Sequence, residues 1–274
     1  GDEQGATFEN GVVRTADGFA DAYQTYVEGG WNALTCNTKY GGQQMPSLIG
    51  TAVMEMFTSA NMAWSLCPIL TVGAIESLEV YGTEELKKTY LPKLISGEWP
   101  GTMNLTEPHA GSDATGMRTR FTPDGDSVII NGSKNFITSG DVADRLLVFG
   151  KWSEIDDPRK AITALIVEKG TPGFEILGIE KKLGHCASST AALAFDGARV
   201  PCANVLGVPG QGLQILLESL SRSRPSIAAH ALGIARAAFA DMVGYMNERS
   251  QSGKHIIEFQ GNQFMLADLA SELA

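Results

Sequence analysis

The feature that most constrains this chain is its hydrophobic spacing, which changes twice along the sequence. Up to about residue 100, apolar residues recur every three or four positions, as in TAVMEMFTSANMAWSLCPILTVGAIESLEVYG. From Gly101 onward, short β-branched runs alternate with turn residues, and helical spacing returns after Gly212. The sequence therefore predicts a multi-domain α+β protein. We expect a helical N-terminal domain (1–100), an antiparallel β middle domain (101–209) and the start of a helical bundle (210–274).

Turn residues place the predicted strands of the middle domain. SVIINGSKNFITSG predicts a β-hairpin with a type I′ turn at Asn131-Gly132. Short strands are expected to follow in RLLVFGKW, AITALIVEKG, FEILGIEKK and TAALAFDGARVP. Together they predict an antiparallel sheet or small barrel. GVPGQG (207–212) superficially matches a dinucleotide-binding loop, but it closes no βαβ unit, so we interpret it as the hinge between sheet and helix.

Helix signals place the predicted helices. Thr83 is expected to cap a short helix that has Glu84 and Glu85 in its first turn, and Gly97 is expected to end it. After Gly212 a long helix is predicted, kinked at Pro225. Its apolar face should be traced by Ile227, Ala231, Ile234, Ala235, Ala238, Met242, Tyr245 and Met246. A second amphipathic helix, FQGNQFMLADLASELA, follows, and this pair must pack on the other domains or on another subunit.

Composition and charge exclude several classes of partner. The 274 residues carry a formal net charge of -10 and no basic run, which disfavours binding to nucleic acid or anionic membranes. No segment is expected to be apolar for the length of a membrane span, and no signal peptide is recognised. The dispersed histidines and cysteines predict no metal site. We interpret the cysteines as reduced core thiols of a cytoplasmic protein: Cys36, Cys67, Cys186 and Cys202.

Three motifs each allow a structural and a functional interpretation. LTEPHAGSD is either a solvated loop or, if Gly111 adopts a conformation closed to other residues, a nest that binds an anion or carbonyl. In KNFITSG, Phe136 and Thr138 are expected on one strand face, either as hairpin packing or as a surface for a flat heterocycle. In RSRPSIAAHALG, Arg222 and Arg224 either reach solvent or point inward to a carboxylate or carbonyl.

Taken together, these segments resemble the acyl-CoA dehydrogenase family of flavoproteins. The matching stretches lie in the family's order and span nearly the whole chain: YLPKLISGEW with LTEPHAGSD, NGSKNFITSG, KLGHCASSTAALAFDGARVP, RPSIAAHALGIARAAF and RSQSGKHIIEFQGNQFMLADLA. The N-terminal half, through EGGWNAL, KYGGQQMP and SLCPILTVGA, is most similar to the subgroup that acts on 3-methylmercaptopropionyl-CoA and related thioesters.

The resemblance implies FAD bound between three domains and α,β-dehydrogenation of an acyl-CoA thioester. In the family a glutamate removes the α-proton while the β-hydrogen leaves as hydride to flavin N5, and an electron-transferring flavoprotein reoxidises the flavin. The positions implied to contact FAD are Leu105, Thr106, Gly111, Ser112, Phe136, Thr138, Arg249 and Gln260. The positions implied to contact the substrate are Ser112, Ser188, Ser221 and Arg224. Arg249 and Gln260 would reach the FAD of a neighbouring subunit, which implies a homodimer or homotetramer.

The catalytic base is missing from the matched positions. In most of the family it lies later in the C-terminal domain than this chain extends, and in some members it lies at the position of Ser223, with Arg224 supporting the site. Serine does not act as that base near neutral pH. Glu218 is about 140° away around the helix. The resemblance therefore implies a dehydrogenase that lacks its C-terminal portion. The alternatives are a catalytically silent flavin- or acyl-CoA-binding or assembly protein, and an acyl-CoA oxidase.

Overall fold

The computed structural model describes residues 1–274. The N-terminal part begins with a small hairpin and continues as four helices. Thr83 caps the last of them as predicted, because its hydroxyl accepts a hydrogen bond of 3.2 Å from the N–H of Leu86. The elements are β1 (Thr7–Glu9), β2 (Val12–Arg14), α1 (Phe19–Glu28), α2 (Ser47–Ala60), α3 (Met62–Tyr81) and α4 (Glu84–Ile95).

The middle part forms one eight-stranded sheet. Its strands are β3 (Gly101–Asn104), β4 (Arg120–Asp124), β5 (Ser127–Thr138), β6 (Arg145–Trp152), β7 (Ile162–Glu168), β8 (Phe174–Ile179), β9 (Thr190–Pro201) and β10 (Val205–Leu206). The spatial order is β10-β7-β6-β4-β5-β9-β8, and β3 pairs with β6. The pairs β3–β6 and β4–β6 are parallel and the others antiparallel. The purely antiparallel pairing expected for this sheet is therefore wrong: it is mixed.

Side chains of the central strands alternate between two hydrophobic clusters. On β6, Leu146 and Val148 pack inside the sheet domain, whereas Leu147 and Phe149 pack against the helices. The helix-facing cluster also contains Ile75 and residues of α4 and the next helix. Because successive strand residues point to opposite faces, a strand buried on both faces needs a continuous apolar run, as RLLVFGKW supplies. This packing joins the sheet to α3 and α4.

The predicted turn at Asn131-Gly132 is wrong. β5 runs unbroken from Ser127 to Thr138, and the hairpin turn lies earlier, where Asp124 pairs with Ser127. Gly132 instead occupies a bulge between β5 and β9, with φ +151°, and a Cβ there would lie 2.5 Å from Thr119 Oγ1. The residues after the Asn-Gly pair continue to hydrogen-bond to β9. Long-range strand pairing therefore overrides the local turn signal.

The C-terminal part consists of α5 (Gly212–Glu248), a short hairpin of β11 (Ser250–Gln251) and β12 (Lys254–His255), and α6 (Gln260–Leu273). As predicted, GVPGQG connects the sheet to α5, and that helix continues through Pro225. Its predicted apolar face is largely exposed, with Ile227, Ile234 and Tyr245 each more than 40% accessible. The buried face is centred instead on His230 and Gly233. Gly233 lies there because a Cβ would meet the backbone of α2.

Two further expectations need correction. By length and composition alone, α3 and α5 are both apolar enough to cross a membrane, contrary to the prediction from the sequence. Half of the most apolar stretch of α3 is buried within the chain, as in the core helix of a globular domain. All four cysteines are free thiols, but only Cys36 and Cys67 are core residues, whereas Cys186 and Cys202 are partly exposed.

Candidate functional site

Two of the predicted cofactor-contacting segments lie side by side. The loop that follows β3 contains Leu105 and Thr106, and the second half of β5 runs next to it. The N–H of Asn135 donates to the carbonyl of Thr106 at 2.9 Å. A second bond joins β3 itself to the end of β5: the hydroxyl of Thr102 donates to the carbonyl of Thr138 at 2.8 Å. The structure thus brings together residues that are about 30 positions apart in the sequence.

A buried ion pair joins these two segments. Lys134 Nζ lies 2.8 Å from Glu107 Oε1, and their side chains are 0% and 1% accessible. The same ammonium donates to the carbonyl of Leu105 at 2.9 Å. Glu107 also accepts from the N–H groups of Arg118 and Thr119, at 2.6 and 3.0 Å. Each charge therefore has a partner, which a buried charge requires.

Neither member of this pair is expected from the motifs, although the sequence carries one signal for it. A lysine inside the β-branched run that becomes β5 is unusual, because lysine is almost never fully buried without a partner. Burial lowers the pKa of Lys134 to about 8, against the attraction of Glu107. Burial acts to raise the pKa of Glu107, but Lys134 and the three hydrogen bonds outweigh it and hold that pKa below the usual carboxyl range. Both groups are therefore charged near neutral pH.

Phe136 projects from the sheet. It has a left-handed backbone with φ +56°, in the irregularity of the β5–β9 register between Lys134 and Ile137, and its side chain is 57% accessible. The simple alternation that put Phe136 and Thr138 on one strand face is therefore interrupted, and hairpin packing does not explain an exposed ring. A non-glycine residue in the left-handed backbone conformation costs about 1–3 kcal/mol, which the contacts around it must offset. Thr138 follows, partly buried, and its hydroxyl makes no hydrogen bond within the chain.

The LTEPHAGSD loop is built differently from the predicted nest. Gly111 does not have a positive φ, and a Cβ there would make only an ordinary contact, 3.9 Å from Thr106 Cγ2. The expectation of a glycine-only conformation is therefore wrong. The loop is nevertheless ordered internally, because Glu107 and Ala110 exchange backbone hydrogen bonds of 3.0 and 3.1 Å. Gly111 and Ser112 lie exposed beyond this turn, with their backbone open to a ligand.

Ser188 lies in a buried polar cluster at the end of β5. Its side chain is almost inaccessible and its hydroxyl has no partner. Lys182 Nζ donates to the Ser188 carbonyl at 2.5 Å. The neighbouring Ser189 hydroxyl donates to Asp141 Oδ1 at 2.7 Å, and its carbonyl accepts from the N–H of Ser139 at 3.0 Å. These bonds tie the segment predicted to contact the thioester to the strand predicted to contact the flavin.

The predicted α5 residues lie on an accessible stretch of that helix. Ser221 and Arg224 are exposed and make no side-chain hydrogen bond, while the Ser223 hydroxyl donates to the carbonyl of Leu220 at 3.1 Å. Glu218 accepts from Gln214 at 3.0 Å. Together with Ser221 and Arg222, Glu218 lines a surface depression formed by α5 and the loop before β7. Arg222 also lines a second space, a cavity between the helices.

A cavity of about 570 Å³ lies between α2, α3 and the start of α5. From α5 it is lined by Arg222, Pro225 and Ser226, which flank the predicted site residues. Helices α3 and α5 both approach Met103 of β3, the strand that precedes the cofactor-contacting loop. The Ser219 hydroxyl lies 3.8 Å from Met103 Sδ, and a Cβ on Gly73 would lie 3.1 Å from it. The remaining walls include Leu34, Leu48, Val53, Met54, Ile69, Val72 and Glu76.

Arg249 and Gln260 lie elsewhere, at the connection between α5 and α6. Arg249 ends α5 and Gln260 begins α6. Both are exposed, and neither side chain makes a hydrogen bond or ion pair within the chain. Two free polar side chains at an exposed helix connection are available to a ligand or a second subunit. Their predicted contact with a neighbouring FAD stays a prediction.

Comparison with known protein families matches nearly the whole chain. Residues 6–98 match the N-terminal domain of acyl-CoA dehydrogenase, residues 102–198 its middle domain, and residues 210–274 its C-terminal domain. The structure of butyryl-CoA dehydrogenase from Megasphaera elsdenii superposes with a TM-score of 0.91 at 34% identity, covering 99% of this chain and 69% of that one. The chain belongs to the acyl-CoA dehydrogenase family.

Curated relatives of similar identity differ in their reactions. Acryloyl-CoA reductase (NADH) from Anaerotignum propionicum is 37% identical, over 93% of this chain and 65% of its own length. The 3-methylmercaptopropionyl-CoA dehydrogenase from Ruegeria pomeroyi is 34% identical, over 92% of this chain and 45% of its own. The subgroup named from the N-terminal motifs is therefore one of several comparable matches. The chain spans between 45% and 65% of the length of the first four curated relatives.

Proposed function

We propose that this chain is the flavin- and thioester-binding part of an FAD-dependent acyl-CoA dehydrogenase. The observation that carries the proposal is the pairing of the Leu105–Thr106 loop with the end of β5 through the buried pair of Glu107 and Lys134. That pairing places the exposed ring of Phe136 beside polar groups without a hydrogen-bond partner, including the amide oxygen of Asn135. No packing requirement of the sheet accounts for this arrangement.

The residues present fit an FAD. Phe136 offers an exposed ring, and the buried amide oxygen of Asn135 next to it has no partner. The free hydroxyl of Thr138 and the open backbone around Ser112 add further polar groups. When bound, FAD supplies the two-electron acceptor for the β-hydrogen of the substrate. We propose that Leu105, Thr106, Phe136 and Thr138 hold its ring, that Gly111 and Ser112 hold its phosphates, and that Arg249 and Gln260 act on the FAD of a second subunit.

The thioester would lie between Ser188, Arg224 and the cavity of α2, α3 and α5. The α-proton of a thioester is weakly acidic, so its removal needs a carboxylate aligned with it and hydrogen bonds to the developing enolate oxygen. Ser223 donates its hydroxyl to the helix backbone and supplies no carboxylate. Glu218 is held by Gln214 on another side of the helix. We therefore propose that the base is a glutamate outside these 274 residues.

Finer assignments rest on the family resemblance. We propose an electron-transferring flavoprotein as the electron acceptor and a homodimer or homotetramer as the assembly. We also propose a cytoplasmic location. The 3-methylmercaptopropionyl-CoA subgroup remains one candidate for the substrate class.

A second candidate function is a silent flavin- or acyl-CoA-binding protein. The position of Ser223, where some family members carry the base, favours it. An intact-mass measurement of the natural protein separates the two, because a dehydrogenase requires a longer polypeptide that carries the missing glutamate.

The test is anaerobic addition of butyryl-CoA to the FAD-reconstituted protein while the visible absorbance of the flavin is followed. The complete protein should lose its yellow absorbance. Residues 1–274 alone should bind FAD and keep the yellow absorbance of the oxidised flavin. A complete protein that binds no FAD, or whose flavin stays oxidised with every thioester offered, would overturn the proposal.

A further inference from the structure

The cavity between α2, α3 and α5 contains a carboxylate that no residue of the chain neutralises. Glu76 lines this cavity on the same face of α3 as Ile69 and Val72. It makes no hydrogen bond and no ion pair within 4.0 Å, and its oxygens are not sealed from the cavity. Arg222, on the opposite wall, acts on it only at longer range. The carboxylate is therefore free to receive a donor from a ligand.

The environment of Glu76 makes this free carboxylate costly to cover with an apolar group. Burial already raises its pKa, against the effect of Arg222, and Glu79 one turn further along α3 adds repulsion. An alkyl chain filling the cavity would remove the remaining water without supplying a hydrogen bond. Transfer of a charged group away from water without a partner is strongly unfavourable. A ligand that brings its own donor avoids that cost.

The rest of the lining agrees with a polar occupant. Thr35 contributes a hydroxyl from the turn before α2, Thr51 contributes one from α2 that donates to the Ser47 carbonyl, and Ser226 contributes one from α5. Apolar residues cover most of the remaining wall, which also includes Asn32 and Ser47, so the space suits a short carbon chain that carries a polar end. Selectivity for chain length alone would be modest, since each methylene is worth only about 1–3 kcal/mol.

Resting on the proposed function, we propose that Glu76 determines specificity and selects acyl groups with a hydrogen-bond donor, a hydroxyl or an amine, beyond the β-carbon. The donor binds the Glu76 carboxylate, and the carbon chain packs against Ile69 and Val72. Plain alkyl thioesters of equal length bind more weakly. The juxtaposition that supports this is an unpaired carboxylate in the cavity that adjoins the predicted thioester residues of α5.

Calorimetric binding of two matched thioesters to the FAD-reconstituted chain tests the proposal. The probes are 6-hydroxyhexanoyl-CoA and heptanoyl-CoA, which have the same number of heavy atoms in the acyl group. Wild type should bind the hydroxylated thioester about tenfold more tightly, the size expected for one hydrogen bond to a charged group. Glu76→Met should abolish that preference, and Glu76→Gln should reduce it.

Glu79→Met is the matched control. Glu79 lies on the same helix but lines a different depression, beside Lys39 and Lys87, so its variant should keep the wild-type preference. Equal or tighter binding of heptanoyl-CoA by wild type would overturn the inference, as would a preference that survives Glu76→Met. Binding of neither thioester, with no binding of CoA itself, would overturn the proposed function and the inference with it.

Discussion

The buried pair of Glu107 and Lys134 yields the most discriminating prediction about stability. Lys134→Met removes the ammonium but keeps most of the length of the side chain. It leaves the Glu107 carboxylate 1% accessible, with only the His109 imidazole beside it, Nε2 lying 3.5 Å from Glu107 Oε2. Removing one partner of a buried ion pair costs about 3–5 kcal/mol. That is a large part of the roughly 5–15 kcal/mol by which a typical protein is stable. We expect the free energy of unfolding, measured by urea titration followed by circular dichroism, to fall by this amount.

An exposed pair of nearly equal geometry is the matched control. Lys39 and Glu84 lie 2.9 Å apart, but their side chains are 57% and 61% accessible. Lys39→Met should therefore change the free energy of unfolding little, because water screens exposed pairs. Lys134→Met combined with Glu107→Gln should recover part of the loss, since no charge is left unpaired and the amide oxygen still accepts from one of the two backbone N–H groups. A single variant as stable as Lys39→Met, or a double variant as unstable as the single, would refute this account.

Three further predictions follow from individual residues. Gly132→Ala should lower the free energy of unfolding by about 1–3 kcal/mol, because its φ and the nearby Thr119 exclude a Cβ, whereas Gly111→Ala should change it by less than about 0.5 kcal/mol. The pKa of Glu107 in the folded protein is lowered, so its contribution to stability is present at neutral pH and is lost as the pH falls through that pKa. The stability difference between wild type and Glu107→Gln should stay nearly constant from about pH 7 to about pH 5 and shrink below about pH 5. Phe136→Ala should leave thermal stability nearly unchanged, because the ring is 57% exposed, yet weaken FAD binding measured by flavin fluorescence.

Local patterns predicted the fold class well. The helix cap at Thr83, the apolar strands β6 and β7, and the connection at GVPGQG were all recognised, because each depends on residues close together in the sequence. The family motifs also predicted cofactor contacts in the loop after β3 and at the end of β5. These are the segments that the structure pairs.

The errors share one cause, which is that the deciding contact came from a distant segment. Asn131-Gly132 is a good turn signal, but the residues that follow it in the sequence pair with β9. The apolar stripe of α5 predicted a buried face, whereas α2 contacts the face that contains Gly233. Glu107 and Lys134 are 27 residues apart, and neither has a local reason to be buried.

The sequence by itself determined the order of helices and strands and the family to which the chain belongs, since side-chain periodicity and short motifs are local properties. Only the tertiary structure decided which charges are paired and which stay free. Lys134 is neutralised and Glu76 is not, although both lie in largely apolar segments. The physical reason is that the energy of a buried charge depends on the partner that the fold brings to it, and sequence spacing does not specify that partner.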